Sequence, residues 1–296
     1  MGHFLTYVFE PGLLASSPVR VAALVGGIVA ITSGVVGVFT VTRGQSFAGH
    51  SLADVATTGG SGAFLVGLNQ FWGFLAFGIG GAAFLEMIGV QRRRGRDVAT
   101  GVLLGGALGV AALFLYLGSV TTSTTGASFT VLFGSMFVIS ASAVPALIAS
   151  GLIALAVVIV LSRILLLSSL SPDVAAARGV PVRAVGAAYL IALAVSVSLS
   201  AMVIGAVLST ALLIGPAATA LRIARGPVRA MVTAAVMGVI ATWLGIVLAY
   251  DSYYWPPHGR GWPVSFFVVG FVVVFYLLSY LRVPGRSRER ACSPAS

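Results

Sequence analysis

The sequence predicts an all-α protein, a polytopic bundle of transmembrane helices, on three observations. Of its 296 residues 58% are hydrophobic and 8% charged, and the mean hydropathy of +1.07 lies far outside the range of soluble domains. Apolar runs of about 20 residues, enough to cross a hydrocarbon core of about 30 Å, recur with only short polar breaks. The 17 basic residues, all arginine, collect in those breaks. The length leaves room for about nine spans (eight to ten), and residues 1–285 read as a single transmembrane domain followed by a disordered tail, 286–296.

Residues 1–18 hold Glu10, Pro11 and Pro18 and read as a short interfacial segment. The first span is 20–41; lacking a basic n-region and a small-residue cleavage site, it is expected to be retained. Arg43 closes it, the second span runs to about residue 68, and the third, 71–90, ends at an arginine cluster from Arg92 to Arg96. The fourth, 98–117, carries Gly101, Gly105 and Gly109, a stripe that admits a close helix neighbour. Residues 129–139 are too short to cross and read as a re-entrant or surface helix before the fifth span, 144–161.

The longest internal loop, 163–183, contains a short helix with a start and a stop. Pro172 suits its first turn, Asp173 its N-terminal dipole, and Gly179 the position just past its end. Exposed alanines such as Ala176 call for a partner. Residues 184–221 hold two tightly connected spans, the second kinked at Gly215-Pro216; the eighth is 230–250, an aromatic and proline-rich loop follows, and the ninth is 263–281.

With nine spans, 15 arginines fall on one side and two, Arg20 and Arg260, on the other. Cytoplasmic loops collect arginine, so the amino terminus is expected outside and the carboxyl terminus in the cytoplasm of a bacterial plasma membrane. The net charge of +10 therefore reports topology; no basic stretch carries interleaved aromatics for stacking on nucleic-acid bases. Cys292 is the sole cysteine, which excludes an internal disulfide. A P-loop needs lysine, and the chain has none, so it is not expected to bind ATP in the P-loop manner. No catalytic constellation stands out and no permanently bound cofactor is expected.

The stretch from Arg43 to Gly60 brings an imidazole and a carboxylate, His50 and Asp54, into the second span. Spaced four residues apart on a helix, they share one face. A buried acid costs about 3 kcal/mol at mid-bilayer, so the pair needs a partner or a purpose. One reading is a metal-ion step in a transport path; the plainer one is a carboxylate hydrogen-bonded to a nearby histidine. His3 and His258 read as interfacial, and Glu86 as reaching toward the Arg92 cluster.

Several stretches, in order, resemble the permeases of ATP-binding-cassette importers for zinc, manganese and iron. Residues 43–67 are similar to that family's R-x-x-x-x-x-G-D-A-L-S-H-A-x-x-P-G, residues 97–117 to its D-x-x-x-G-x-x, and 132–135 to its L-F-G-S. The most specific match is 203–220, close to V-G-x-L-L-x-x-A-L-L-x-x-P-A-A-T-A. Two departures stand out: His50 precedes Asp54 where the family has Asp before His, and Gly59-Gly60 replaces Pro-Gly. The family's late P-[ST]-G turn is also replaced, by the segment 255–261.

The resemblance implies a type II ABC importer-like fold, a homodimer, two cytoplasmic ATPase subunits and an extracytoplasmic metal-binding protein that delivers cargo. It makes His50 and Asp54 the expected metal ligands. It makes the segment with Asp173, Ala176, Arg178 and Gly179 the expected ATPase-coupling loop. The transported substrate is then a divalent metal ion. The alternative is a secondary transporter or channel using the His50/Asp54 pair for ion or proton coupling.

Overall fold

The structure, a computed structural model, describes residues 16–88, 96–122, 126–134, 136–139, 142–255 and 261–282, which form helices and no strand. The tail 286–296, His3, His258 and Arg92 lie outside the described residues. Helix α1 is Ser17–Thr42, with Pro18 in its first turn; α2 is Ser46–Leu65. Helix α3, Gln70–Ile88, begins beside Asn69, whose side-chain oxygen accepts the Phe71 N–H at 3.0 Å. Helix α4 is Arg96–Thr122, with Asp97 at its positive end. Then come α5 (Gly126–Phe133), a 3-10 turn (Met136–Val138), α6 (Val144–Leu170) and the short α7 (Pro172–Ala177). The last four are α8 (Val182–Ile204), α9 (Ala206–Ile223), α10 (Pro227–Ser252) and α11 (Val264–Arg282).

Eight of these, α1, α3, α4, α6 and α8 to α11, are long and apolar enough to cross a membrane. The ninth long helix, α2, spans 20 residues but its histidine, aspartate, serines and threonines keep it below that threshold. The apolar run after residue 184 divides at a single residue, Gly205, φ +103°. Pro216 lies inside α9 without ending it. The largest boundary difference is in the fifth span, which does not stop near residue 161 but continues as helix to Leu170; the fourth also runs on to Thr122, and the 129–139 segment is a helix to Phe133 and a separate 3-10 turn. An arginine does not terminate a helix, and exposed Arg163 sends its charge outward while Leu165 packs into the core.

Helices α1 and α8 form the centre, with 72% and 78% of their most apolar windows buried; α4 and α6 bury only 22%. Phe39, Tyr189, Leu193 and Leu213 are fully buried in one cluster. Polar contacts tie the central helices together: Ser33 Oγ lies 2.7 Å from Ser200 Oγ and 3.3 Å from Ser196 Oγ. Helix α2 packs against α3, α4 and α8. At its crossing with α3 the backbones nearly touch, since a Cβ on Gly59 would run into the Gly73 carbonyl oxygen and Phe77. The glycine pair does here what small residues do in membrane helix packing generally.

Candidate metal site

Three residues, Arg43, Gly44 and Gln45, separate α1 from α2, so α2 starts within the end layer of the bundle and carries its polar residues inward. His50 and Asp54 lie on its second and third turns, with Nε2 and Oδ2 3.8 Å apart. The Asp54 side chain is 4% exposed and that of His50 38%, so the imidazole opens to the surroundings and the carboxylate lies behind it. The distance exceeds hydrogen-bond reach; the plain hydrogen-bonded pair is not formed. His50 Nδ1 and Asp54 Oδ2 are both buried atoms with no hydrogen-bond partner, an arrangement that buried polar groups ordinarily avoid.

A cation bound at about 2.1 Å from a nitrogen and an oxygen holds them roughly 3.4 Å apart in tetrahedral geometry. The observed 3.8 Å needs only a small side-chain adjustment. Among the described residues no group of three or more His, Cys, Asp or Glu side chains comes together. A metal ion held by this pair would have two such ligands from the described residues of one chain and would complete its shell from elsewhere.

The segment expected to couple to an ATPase stands apart from this pair, beyond the end of α6. Asp173, Ala176, Arg178 and Gly179 are all exposed, whereas Ala175 is fully buried, so the alanines are not uniformly free. The stop is built as expected from Gly179: its N–H donates to the Ala176 carbonyl at 2.9 Å and the Val180 N–H to that of Ala175 at 3.1 Å. Gly179 has φ +76°, the left-handed conformation this double closure requires. Helix α7 packs on α6 and α8.

Arg43, read from sequence as the end of a span and the first residue of the 43–67 segment, connects the two regions. Its Nη1 donates to Ser168 Oγ at 3.2 Å and Ser169 Oγ at 3.3 Å, and its guanidinium lies 5.2 Å from the centre of the Tyr189 ring. The Tyr189 hydroxyl lies 2.7 Å from Thr40 Oγ1. Burial lowers the basicity of Arg43, opposed by Tyr189, and the group remains charged at neutral pH. One side chain thus joins the short link before α2 to the last turn of α6, directly ahead of α7. The sequence signal was present in the single arginine between two apolar runs, but its partners lie about 125 residues away.

Comparison with known proteins agrees with this architecture. Residues 17–278 match the ABC 3 transport family. The manganese transport system membrane protein MntC of Listeria monocytogenes is 29% identical over 244 residues, 82% of this chain and 85% of that one. The manganese import system permease protein ScaB of Streptococcus parasanguinis is 29% identical over 263 residues, 88% and 89%. The high-affinity zinc uptake system membrane protein ZnuB of Haemophilus influenzae is 24% identical over 233 residues, 78% and 88%. Among solved structures, PsaBC from Streptococcus pneumoniae in complex with Fab superposes with a TM-score of 0.79 at 22% identity, covering 95% of this chain and 98% of that one, a likeness of fold. A match over most of the chain, with the helix order and the long helices in place, makes this protein a member of the ABC 3 transport family.

Proposed function

We propose that the chain is the membrane-spanning permease subunit of an ABC importer that moves a divalent transition-metal ion, manganese, zinc or iron, into the cytoplasm past His50 and Asp54. The observation that carries this reading is the unsatisfied His50/Asp54 pair on the one long helix too polar to be a lipid-facing span. Relatives named for manganese and zinc transport support the cargo class, and mixed nitrogen and oxygen ligation suits both metals. Family membership favours this reading over a secondary transporter or channel.

Two ligands per chain suit a homodimer in which both copies face a shared path. The exposed glycines of α4 favour it: a Cβ on Gly105 or Gly109 meets nothing within 4 Å, and one on Gly101 lies 3.8 Å from the Phe47 ring. Phe47 sits one turn before His50, so the glycine stripe and the imidazole share a side of the molecule. A second copy docking there would add a second His50 and Asp54. ATP hydrolysis belongs to separate cytoplasmic subunits received by α7, and an extracytoplasmic metal-binding protein delivers the ion at the opposite end.

Uptake of manganese or zinc into vesicles containing the permease and its ATPase tests the site. Asp54→Asn and His50→Ala each stop uptake while the assembled complex survives purification. Normal uptake by both variants would make the pair structural. Orientation is read separately, in a Cys292→Ser background carrying a cysteine at residue 95: labelling from outside intact cells by an impermeant reagent reverses the topology.

A further inference from the structure

Helices α1, α6 and α10 enclose a groove of about 530 Å³ whose lining, including Val35, Leu155, Ile159, Val239 and Trp243, is wholly apolar. It extends along α10 from Val228 to Trp243, 15 residue steps or roughly 22 Å of helix, room for one extended acyl chain. At the Val228 end it runs into a second depression that shares Val228 and Val232 and adds Arg225 and Arg229. Both arginines are exposed. No acidic residue lies between Asp173 and Asp251, and none lies in α1 or α6. The charges at the mouth of the groove are therefore not neutralised by the helices that build it.

We infer that this groove binds an anionic phospholipid, one acyl chain between α1, α6 and α10 and the phosphate between Arg225 and Arg229. An acyl chain matches both the length and the wholly apolar lining. A phosphate matches two cations set at the end of that lining, where a headgroup lies when its chain is in the groove. Charge complementarity separates this ligand from a second copy of the chain, which would bring more arginine to the same place. The proposed dimer face is also elsewhere, since α10 packs on α1, α9 and α11 and α6 on α1, α7 and α8, while α2 packs on α3, α4 and α8.

Trp243 lines the groove and serves as the reporter. In lipid nanodiscs, the full-length chain with Trp72, Trp255 and Trp262 changed to Phe is titrated with phosphatidylglycerol or phosphatidylcholine brominated on the acyl chain. Quenching of Trp243 is expected at roughly 30-fold lower mole fraction of phosphatidylglycerol, the equivalent of about one kcal/mol of attraction for each of the two arginines near an anionic surface. Arg225→Gln with Arg229→Gln should bring the two lipids level. The unaltered sequence gives a parallel reading through phosphatidylglycerol retained in native mass spectrometry, lost in the double variant. Equal quenching by both lipids with the arginines present would overturn the proposal, as would a preference that survives both substitutions. Displacement of phosphatidylglycerol by inorganic phosphate alone would show a phosphate site without a lipid and would overturn it too.

Discussion

Helix α6 reaches a mean hydropathy of 2.8 over its most apolar window and buries 22% of that window within the protein. Helix α2, too polar for the same criterion, buries 14 of its 20 residues. In water the ranking would be the reverse. In a bilayer, apolar side chains meet lipid at no cost, so the most apolar helices occupy the rim. Polar groups cost least where other helices surround them. Thr58 shows how: its hydroxyl donates to the Asp54 carbonyl at 3.0 Å and the Ala107 carbonyl at 2.8 Å. The helix that hydropathy overlooks is then the one that carries the proposed His50/Asp54 site.

The largest effect that would sharpen this contrast belongs to Asp54. With Asp54 as the proposed ligand, Asp54→Asn removes its charge and should lower metal uptake by at least about 100-fold, beyond what even outer-shell changes cause. Exchanging the pair, His50→Asp with Asp54→His, keeps the ligand set and should restore measurable uptake. If the exchange is as inactive as the single change, the order of the ligands matters as much as their identity. Val160→Leu on α6, at a position 77% exposed, should leave uptake unchanged. Loss of uptake there would break the division between rim and interior.

Next is packing. Gly59→Leu forces a side chain into the Gly73 carbonyl and Phe77, an overpacking cost of about 3 kcal/mol or more, read as loss of folded protein in detergent. Gly270→Leu on α11, where a Cβ meets nothing within 4 Å, should be tolerated. Equal losses in the two would mean that α2 is not specially enclosed.

Ala176→Arg places bulk and charge on an exposed position of α7, in the docking contact proposed for the ATPase. It should weaken ATPase association by several-fold with the permease still folded, as measured by co-purification. Unchanged association and uptake would remove α7 from the coupling. The smallest effect is Thr58→Val, which takes away two hydroxyl contacts and should cost about 0.6 kcal/mol in thermal unfolding. A cost several times larger would show that the α2–α4 contact rests on this hydroxyl rather than on packing.

Much of the geometry of the candidate site was legible in the letters. The His50/Asp54 spacing placed both residues on one helical face, and Asp173 and Gly179 marked a helix that forms with its double closure at Gly179. What escaped were relations between distant segments. Arg43 looked like a loop charge, but it is held by Ser168, Ser169 and Tyr189. The stripe at Gly101, Gly105 and Gly109 predicted a close neighbour, but among the described residues nothing lies within 4 Å of a Cβ at Gly105 or Gly109. The close approach that uses glycine is instead at Gly59 and Gly73.

Composition and periodicity by themselves determined that the chain is a membrane-spanning helical bundle. They also set the order of its helices and which residue pair is too polar to be lipid-facing, because the cost of burying each residue in hydrocarbon depends on local sequence alone. Only the tertiary structure decided which helices are central and that the His50/Asp54 pair stays 3.8 Å apart without a hydrogen bond. It also decided that Arg43 ties the link before α2 to the end of α6. These depend on contacts between segments far apart in the chain, whose partners are selected by shape and by unsatisfied polar groups, and no local pattern encodes them.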